Sequence, residues 1–293
     1  RPVRLIVGFP AGGPTDLAAR LIGQWLSERL GQPFVIENRP GAGTNIAIEA
    51  VVRAPPDGYT LLLVGTSAAI GASLYENLNF NFIRDIAPVG STMREPNVLE
   101  VHPSVPAATL PEFIAYAKAN PGKLTMASGG TGSSPHLCGE LFKMMAGVNL
   151  LTVPYRGSAP ALIDVLSGQV QVYFDVITTS IEYIRTGRLR ALGMTTATRS
   201  QALPDVPAIA ELLPGYEAST WHGIGAPRNT PLEIIEELNK EINDVLADPK
   251  FRARVLDLGG TVLAGSPIEF ANFIAEETDK WAKVVKFAGI KPT

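Results

Sequence analysis

The stretch Val3-Arg4-Leu5-Ile6-Val7-Gly8-Phe9-Pro10-Ala11-Gly12-Gly13-Pro14-Thr15-Asp16 decides the fold. Val3–Val7 is a short β-rich run. The turn after it carries glycines at 8, 12 and 13 and prolines at 10 and 14. Leu17, Leu21, Ile22, Trp25, Leu26 and Leu30 then recur at helical spacing until Gly31, which predicts an amphipathic helix. A strand that feeds a helix through a glycine-rich turn places unsatisfied N–H groups and a positive dipole end at the strand's C-terminal edge, where anions bind in open α/β sheets. The plainer reading is that Thr15 or Asp16 caps the helix, and both roles can coexist.

The same alternation continues outward. Phe34-Val35-Ile36 predicts a second strand, Gly41-Ala42-Gly43-Thr44 opens a second helix through Ala50 and Val51, and Tyr59 to Val64 predicts a third strand. This β-α-β-α-β order implies a parallel sheet covered by helices. The pattern restarts at Pro111. Strands are expected at Leu124-Thr125-Met126, Leu151-Thr152-Val153, Val170 to Phe174 and Leu189 to Met194, with helices through Leu141 and through Leu162 and Leu166. The restart indicates a second α/β lobe. Beyond it, Leu232, Ile235, Leu238, Ile242, Val245 and Leu246 mark one helix, and Phe270, Phe273, Ile274, Trp281, Val284 and Val285 mark another. With no third β-α series, these helices are expected to pack back on an earlier lobe. If that lobe is the first, the chain crosses twice, near Asn97–Val101 and near Trp221–Gly225, and two crossings form a hinge.

Composition excludes several classes. The chain has 293 residues, 46% of them hydrophobic and 18% charged, as in globular proteins and unlike disordered ones. Its 25 Lys and Arg against 28 Asp and Glu give a net charge of −3, and without a basic block this argues against nucleic-acid binding. One cysteine, Cys138, allows no internal disulfide and no multi-cysteine metal site, and its surroundings make it a small core residue. His102, His136 and His222 are too scattered for a histidine-built metal site. No stretch reaches the roughly 20 apolar residues that span a bilayer. The opening residues lack the charged and long apolar regions expected of a signal peptide, and the abrupt start at a strand leaves open a removed leader.

Gly129 to His136 repeats the first turn's design in the second lobe, with hydroxyls at Thr131, Ser133 and Ser134. Gly-x-Ser-x-Gly is absent, the run Gly130-Thr131-Gly132-Ser133-Ser134-Pro135 lacks the third glycine of a dinucleotide fingerprint, and no Walker A pattern occurs. Ser134 and His136 lie close together, but catalysis would also need an orienting acid and an oxyanion site. No catalytic residue, metal or cofactor is expected. Trp25, Trp221 and Trp281 read as packing residues, with Trp221 and His222 of interest at the expected hinge.

With these motifs in place, the chain resembles the Bug/TctC family, the periplasmic solute receptors of tripartite tricarboxylate transporters. Further motifs carrying the resemblance are Val35-Ile36-Glu37-Asn38-Arg39-Pro40-Gly41-Ala42-Gly43, Pro56-Asp57-Gly58-Tyr59-Thr60-Leu61 and Val153-Pro154-Tyr155-Arg156-Gly157. Leu203-Pro204-Asp205-Val206-Pro207 and Ala226-Pro227-Arg228-Asn229-Thr230-Pro231 complete the set. The resemblance implies a two-lobe, type II periplasmic-binding-protein-like Venus flytrap, with residues 1–98 and 223–293 in lobe one and 99–222 in lobe two. It implies a monomeric periplasmic protein that captures a small carboxylate in the inter-lobe cleft and delivers it to a membrane permease. The alternatives are a ligand-sensing receptor for a signalling system and, less favoured, a Ser/His hydrolase.

Carried over residue by residue, Phe9, Ala11, Gly12 and Gly13 would wrap the ligand's proximal carboxylate, with Asp16 orienting the loop or a water. Thr66, Ser67 and Ala68 would line the same cleft. Thr131, Ser133, Ser134 and His136 would form the second-lobe wall, joined by Tyr155, Arg156 and Gly157. Asp175 would read an amine or hydroxyl of the ligand. The chain departs from the family at Gly8, where Pro is common. In Leu74-Tyr75-Glu76-Asn77-Leu78-Asn79-Phe80-Asn81-Phe82-Ile83-Arg84-Asp85, Asn81-Phe82 replaces the usual Asp-Pro.

Overall fold

The computed structural model describes residues 1–75 and 78–291, so Glu76 and Asn77 of the stretch just quoted lie outside the described residues. The chain forms two compact units. One comprises Arg1–Arg94, Trp221–Val255 and the chain from Thr261; the other comprises Glu95–Thr220 and Leu256–Gly260.

The first unit begins with three strand–helix pairs. Strand β1 (Val3–Val7) leads to α1 (Pro14–Leu30), β2 (Phe34–Asn38) to α2 (Asn45–Val52), and β3 (Thr60–Gly65) directly to α3 (Thr66–Leu74). Strand β1 pairs in parallel with both β2 and β3, so all three helices start at one edge of the sheet. Helix α1 buries Ile22 and Leu26 of the expected stripe, with Leu21, Trp25 and Leu30 packed against the same core, while Leu17 is 41% exposed. Ala18, Ala19 and Gly23 complete the buried face. Small residues win that face because the helix lies close on the sheet: a β-carbon at Gly23 would sit 3.1 Å from Ile36 Cδ1. A short α4 (Phe82–Asp85), with Asn81 as its cap, precedes β4 (Ile86–Val101).

Strand β4 runs from one unit into the other, the boundary falling after Arg94. In the second unit α5 (Leu110–Ala119) leads to three more strand–helix pairs. They are β5 (Thr125–Ser128) with α6 (Ser134–Ala146), β6 (Leu151–Pro154) with α7 (Ser158–Leu166), and β7 (Val172–Val176) with α8 (Ile177–Arg185). Strand β5 is parallel to both β6 and β7, which again gathers three helix starts at one edge. Strands β7 and β8 (Arg190–Met194) both pair antiparallel with β4. Tyr173, Ala161, Leu162 and Val165 form one core layer, and Phe142 packs on Phe174 on the other face, with ring centroids 5.4 Å apart.

The chain then returns to the first unit through β9 (Ser219–Pro227), which is buried along its whole length and antiparallel to β3. Asn97–Val101 and Trp221–Gly225, the expected hinge segments, therefore both lie inside strands. Helices α9 (Leu232–Ala247) and α10 (Pro249–Asp257), strand β10 (Thr261–Val262) and helix α11 (Pro267–Ala288) follow. The periodic residues Ile235, Leu238, Ile242, Val245 and Leu246 of α9 pack with Leu5, Leu61 and Leu63 of the sheet. Each fully buried Leu or Ile adds about 1.5–3 kcal/mol. Helix α11 opens with a capping box, Ser266 and Glu269 bonding each other's backbone N–H. Glu277 of α11, buried, accepts hydrogen bonds from Trp221 Nε1 at 2.9 Å and Trp281 Nε1 at 3.0 Å. That bond, together with the Trp221–Phe270 and Trp221–Phe273 ring contacts, accounts for Trp221 as a packing residue.

Candidate functional site: helix starts at two sheet edges

In the first unit the β1–α1 turn is held from behind by one carboxylate. Asp16 is almost fully buried and accepts four hydrogen bonds. They come from Gly12 N at 3.0 Å, Arg20 Nε at 2.8 Å, Arg20 Nη2 at 3.0 Å and Asn38 Nδ2 at 3.0 Å. Burial alone would raise its pKa, but the bonds from Arg20, Gly12 and Asn38 outweigh it and hold Asp16 below the ordinary carboxylate value. The expectation that Thr15 or Asp16 caps α1 is corrected: Gly13 is the cap, with no side-chain bond, and Pro14 starts the helix. Asp16 reaches back to the loop instead. Asn38 Nδ2 also donates to Phe9 O at 2.9 Å, so β2 secures the other end of the same turn. Gly12 is left-handed, at φ +83°, which suits glycine. Phe9 is half-buried and Ala11 and Gly12 are exposed. Thr66, Ser67 and Ala68, all buried, open α3, and Thr66 Oγ1 accepts from Trp221 N at 3.0 Å.

In the second unit the β5–α6 turn uses left-handed glycines at 130 and 132. Ser133 caps α6, its hydroxyl accepting from His136 N at 3.4 Å. His136 Nδ1 accepts from Gly132 N at 3.3 Å, and Nε2 lies 3.8 Å from Glu140. Burial lowers the His136 pKa, against the pull of Glu140, and favours the neutral ring. Ser134 Oγ donates to Asn97 Oδ1 at 3.0 Å, while Thr220 Oγ1 lies 2.7 Å from Ser134 Oγ and 3.0 Å from Asn97 Oδ1. Ser134 is thus bonded into a buried polar triangle and not to His136. Thr131 is half-buried.

The β6–α7 turn presents Tyr155, Arg156 and Gly157. Tyr155 donates its hydroxyl to Asp164 at 2.7 Å, and burial with that bond pushes its pKa to about 12. Arg156 is exposed, and no hydrogen bond or ion pair among the described residues engages its guanidinium. Asp175 ends β7 fully buried, accepting from Val176 N at 2.9 Å and Thr179 Oγ1 at 2.6 Å. Burial raises its pKa to about 7 against the pull of those bonds. A β-carbon at Gly129 would sit 3.2 Å from Ser158 Oγ, 3.5 Å from the Tyr173 hydroxyl and 3.6 Å from Ser133 Oγ, so three hydroxyls gather there.

Every candidate ligand-binding residue therefore belongs to a strand end or a helix start at the C-terminal edge of parallel strands, at two turns in one unit and three in the other. Within the first unit Phe9, Gly12 and Asp16 are tied into one network; within the second, Ser133 bonds His136, while Ser134 joins Asn97 and Thr220. Asn38, Asn97, Tyr173 and Thr220 were missed. Asn38 stands in a quoted motif, but nothing local announces that its amide crosses to Phe9. Turns of this kind in either unit can hold an anion with backbone N–H groups and hydroxyls, and the second unit adds the exposed Arg156 guanidinium. Among the described residues no cluster of three or more His, Cys, Asp or Glu could hold a metal ion, and no helix is long and apolar enough to cross a membrane.

Two units of parallel strands, each strand leading to a helix, make this a periplasmic-binding-protein fold. The structure is similar to that of the periplasmic binding protein BugD, with a TM-score of 0.94 and 36% identity, over 99% of this chain and 98% of that one. A model of the tripartite tricarboxylate transporter family receptor (TctC) matches residues 18–290, and the chain belongs to that family. It is similar to R. palustris Rpa4515, solved with adipate, at TM-score 0.96 and 39% identity, covering 100% of this chain and 99% of that one. It is also similar to MatC (Rpa3494) from Rhodopseudomonas palustris, solved with malate, at TM-score 0.91 and 33% identity, covering 97% and 99%.

Proposed function

We propose that this protein is a periplasmic receptor that captures a small dicarboxylate at its helix-start turns and delivers it to the membrane permease of a tripartite tricarboxylate transporter. The observation that carries the reading is the pair of family members solved with adipate and malate, both short dicarboxylates. The chemistry of this chain agrees with it. Phe9–Gly13 and the starts of α3, α6 and α7 offer backbone N–H groups and hydroxyls, and Arg156 offers a cation with no competing partner. Each charge-assisted hydrogen bond to a carboxylate contributes about 1.5–3 kcal/mol. A ligand that binds one conformation better than another shifts the population towards it, and that conformation would be what the permease recognises. Ser134 bonded to Asn97 and Thr220, with no histidine partner, supports binding over hydrolysis.

Thermal melts and calorimetry with adipate, malate and the monocarboxylate hexanoate test this. A dicarboxylate at about 100 times its Kd should add roughly 2.7 kcal/mol of stability. That corresponds to a rise of about 2–4 °C per kcal/mol for a chain of this size. Hexanoate should shift the melt less. Equal response to all three, or response to none, would sink the dicarboxylate reading.

A further inference from the structure

One of the six helix-start turns stands outside the site described so far, and it gathers the positive-φ non-glycine residues found among the described residues. Gly41, Ala42, Gly43 and Thr44, between β2 and α2, all have positive φ, at +132°, +47°, +58° and +81°. Ala42 and Thr44 are the non-glycine residues with positive φ among the described residues. A β-branched residue in this region is a genuine outlier. Thr44 is also 9% exposed, and its hydroxyl is buried with no hydrogen-bond partner. Strain of this kind persists only where surroundings over-determine it, and it concentrates at ligand clamps.

What Thr44 touches explains its presence. A β-carbon placed on Gly8 would lie 2.6 Å from Thr44 Cβ, 2.8 Å from Cγ2 and 3.0 Å from Cα. The Thr44 side chain therefore fills the space that any residue but glycine would need at position 8. Gly8 is the first residue after β1 and the start of the Phe9–Gly13 loop. We propose that Thr44 is a positioning residue for that loop: its branched side chain, seated under Gly8, fixes where the loop leaves the sheet. The loop then has three restraints, Thr44 at its start, Asn38 on the Phe9 carbonyl and Asp16 on the Gly12 N–H. The first restraint is steric and the other two are polar. Gly8 and Thr44 form a close steric pair. The inference rests on the carboxylate reading only for the consequence to ligand affinity.

The test uses Thr44→Gly, Gly8→Ala and the double variant in the full chain. Glycine adopts φ +81° without strain, so Thr44→Gly should keep or raise Tm. Amide hydrogen exchange across residues 8–13 should nevertheless quicken by about tenfold while the rest of the unit is unchanged. Adipate and malate affinity, by calorimetry, should fall by about tenfold, equivalent to about 1.4 kcal/mol. Gly8→Ala should lose binding by clashing with Thr44, and adding Thr44→Gly should restore much of it.

Unchanged exchange at 8–13 in Thr44→Gly overturns the proposal. So does a double variant no better than Gly8→Ala, or a drop in Tm with exchange faster throughout the unit. If the wild-type chain binds neither dicarboxylate but the exchange result holds, the positioning role stands and the carboxylate reading of the loop falls.

Discussion

Asp16 has two oxygens and takes four hydrogen bonds from three residues, so an amide cannot replace it. In Asp16→Asn one position becomes a donor and faces Arg20, Asn38 or Gly12 N–H. The expected cost is about 1.5–3 kcal/mol, read in thermal melts, with weaker dicarboxylate binding because the Gly12 end of the loop is released. Arg20→Ala should cost less, since Arg20 is half-exposed and water can replace it. The acid side carries a sign as well. Asp16 is held below its ordinary value, so its contribution is full above pH 3.8 and is lost as pH falls through its folded pKa. At this scale the sequence made the loop residues and Asp16 visible, because a glycine-rich turn before a helix is a local pattern. Asn38, Asn97 and Thr220 stayed hidden because each acts on a residue distant in the chain; Thr220 and Ser134 are 86 positions apart.

Strands β4 and β7 bring together two fully buried acids. Glu100 pairs in register with Tyr173 and Asp175 with Val98, which puts both carboxyls on one face of the sheet. Neither oxygen of Glu100 has a hydrogen-bond partner. Burial, and then the charge of Asp175, push its pKa well above the ordinary value. The Asp175 pKa is raised to about 7 by burial and by Glu95, against bonds from Thr179 and Val176. Between its unfolded value of 3.8 and about 7 the folded chain holds a proton that the unfolded chain has released. Stability therefore falls as pH rises across that window and levels off above it. His136, lowered from 6.5, acts in the opposite direction, losing stability as pH falls below that value. Subtracting the wild-type curve from that of Asp175→Asn cancels His136 and should show the variant gaining relative stability from pH 3.8 to 7. A flat difference would contradict the buried protonated state. Elements such as α1, α6 and α9 were legible from the period of their apolar residues. Strands β4 and β9 were not, because continuous burial on both faces removes the alternation that marks a strand.

Neither unit is one continuous piece of chain. Leu256–Gly260 groups with the second unit, after more than thirty intervening residues in the first. A β-carbon at Gly259 would sit 2.8 Å from Ile177 Cδ1, so this short segment covers the start of α8. An isolated 95–220 fragment should therefore melt lower than the same fragment carrying residues 256–260 on a flexible linker. The gain expected from covering Ile177 is about 1.5–3 kcal/mol at most. Equal melts would show that the segment adds nothing. No composition shift or glycine-proline run marks this excursion, which is why the sequence indicated two lobes without it. The placement of the aromatic residues has an optical consequence. Trp25, Trp221 and Trp281 are the three tryptophans of the chain, and all lie in the first unit. Indole emission therefore reports on that unit alone, while the second is dark when tryptophan is excited selectively. A quenching or spectral shift on adding a solute would record an event in the first unit, and a tryptophan introduced at an exposed site of the second would give each half its own lamp.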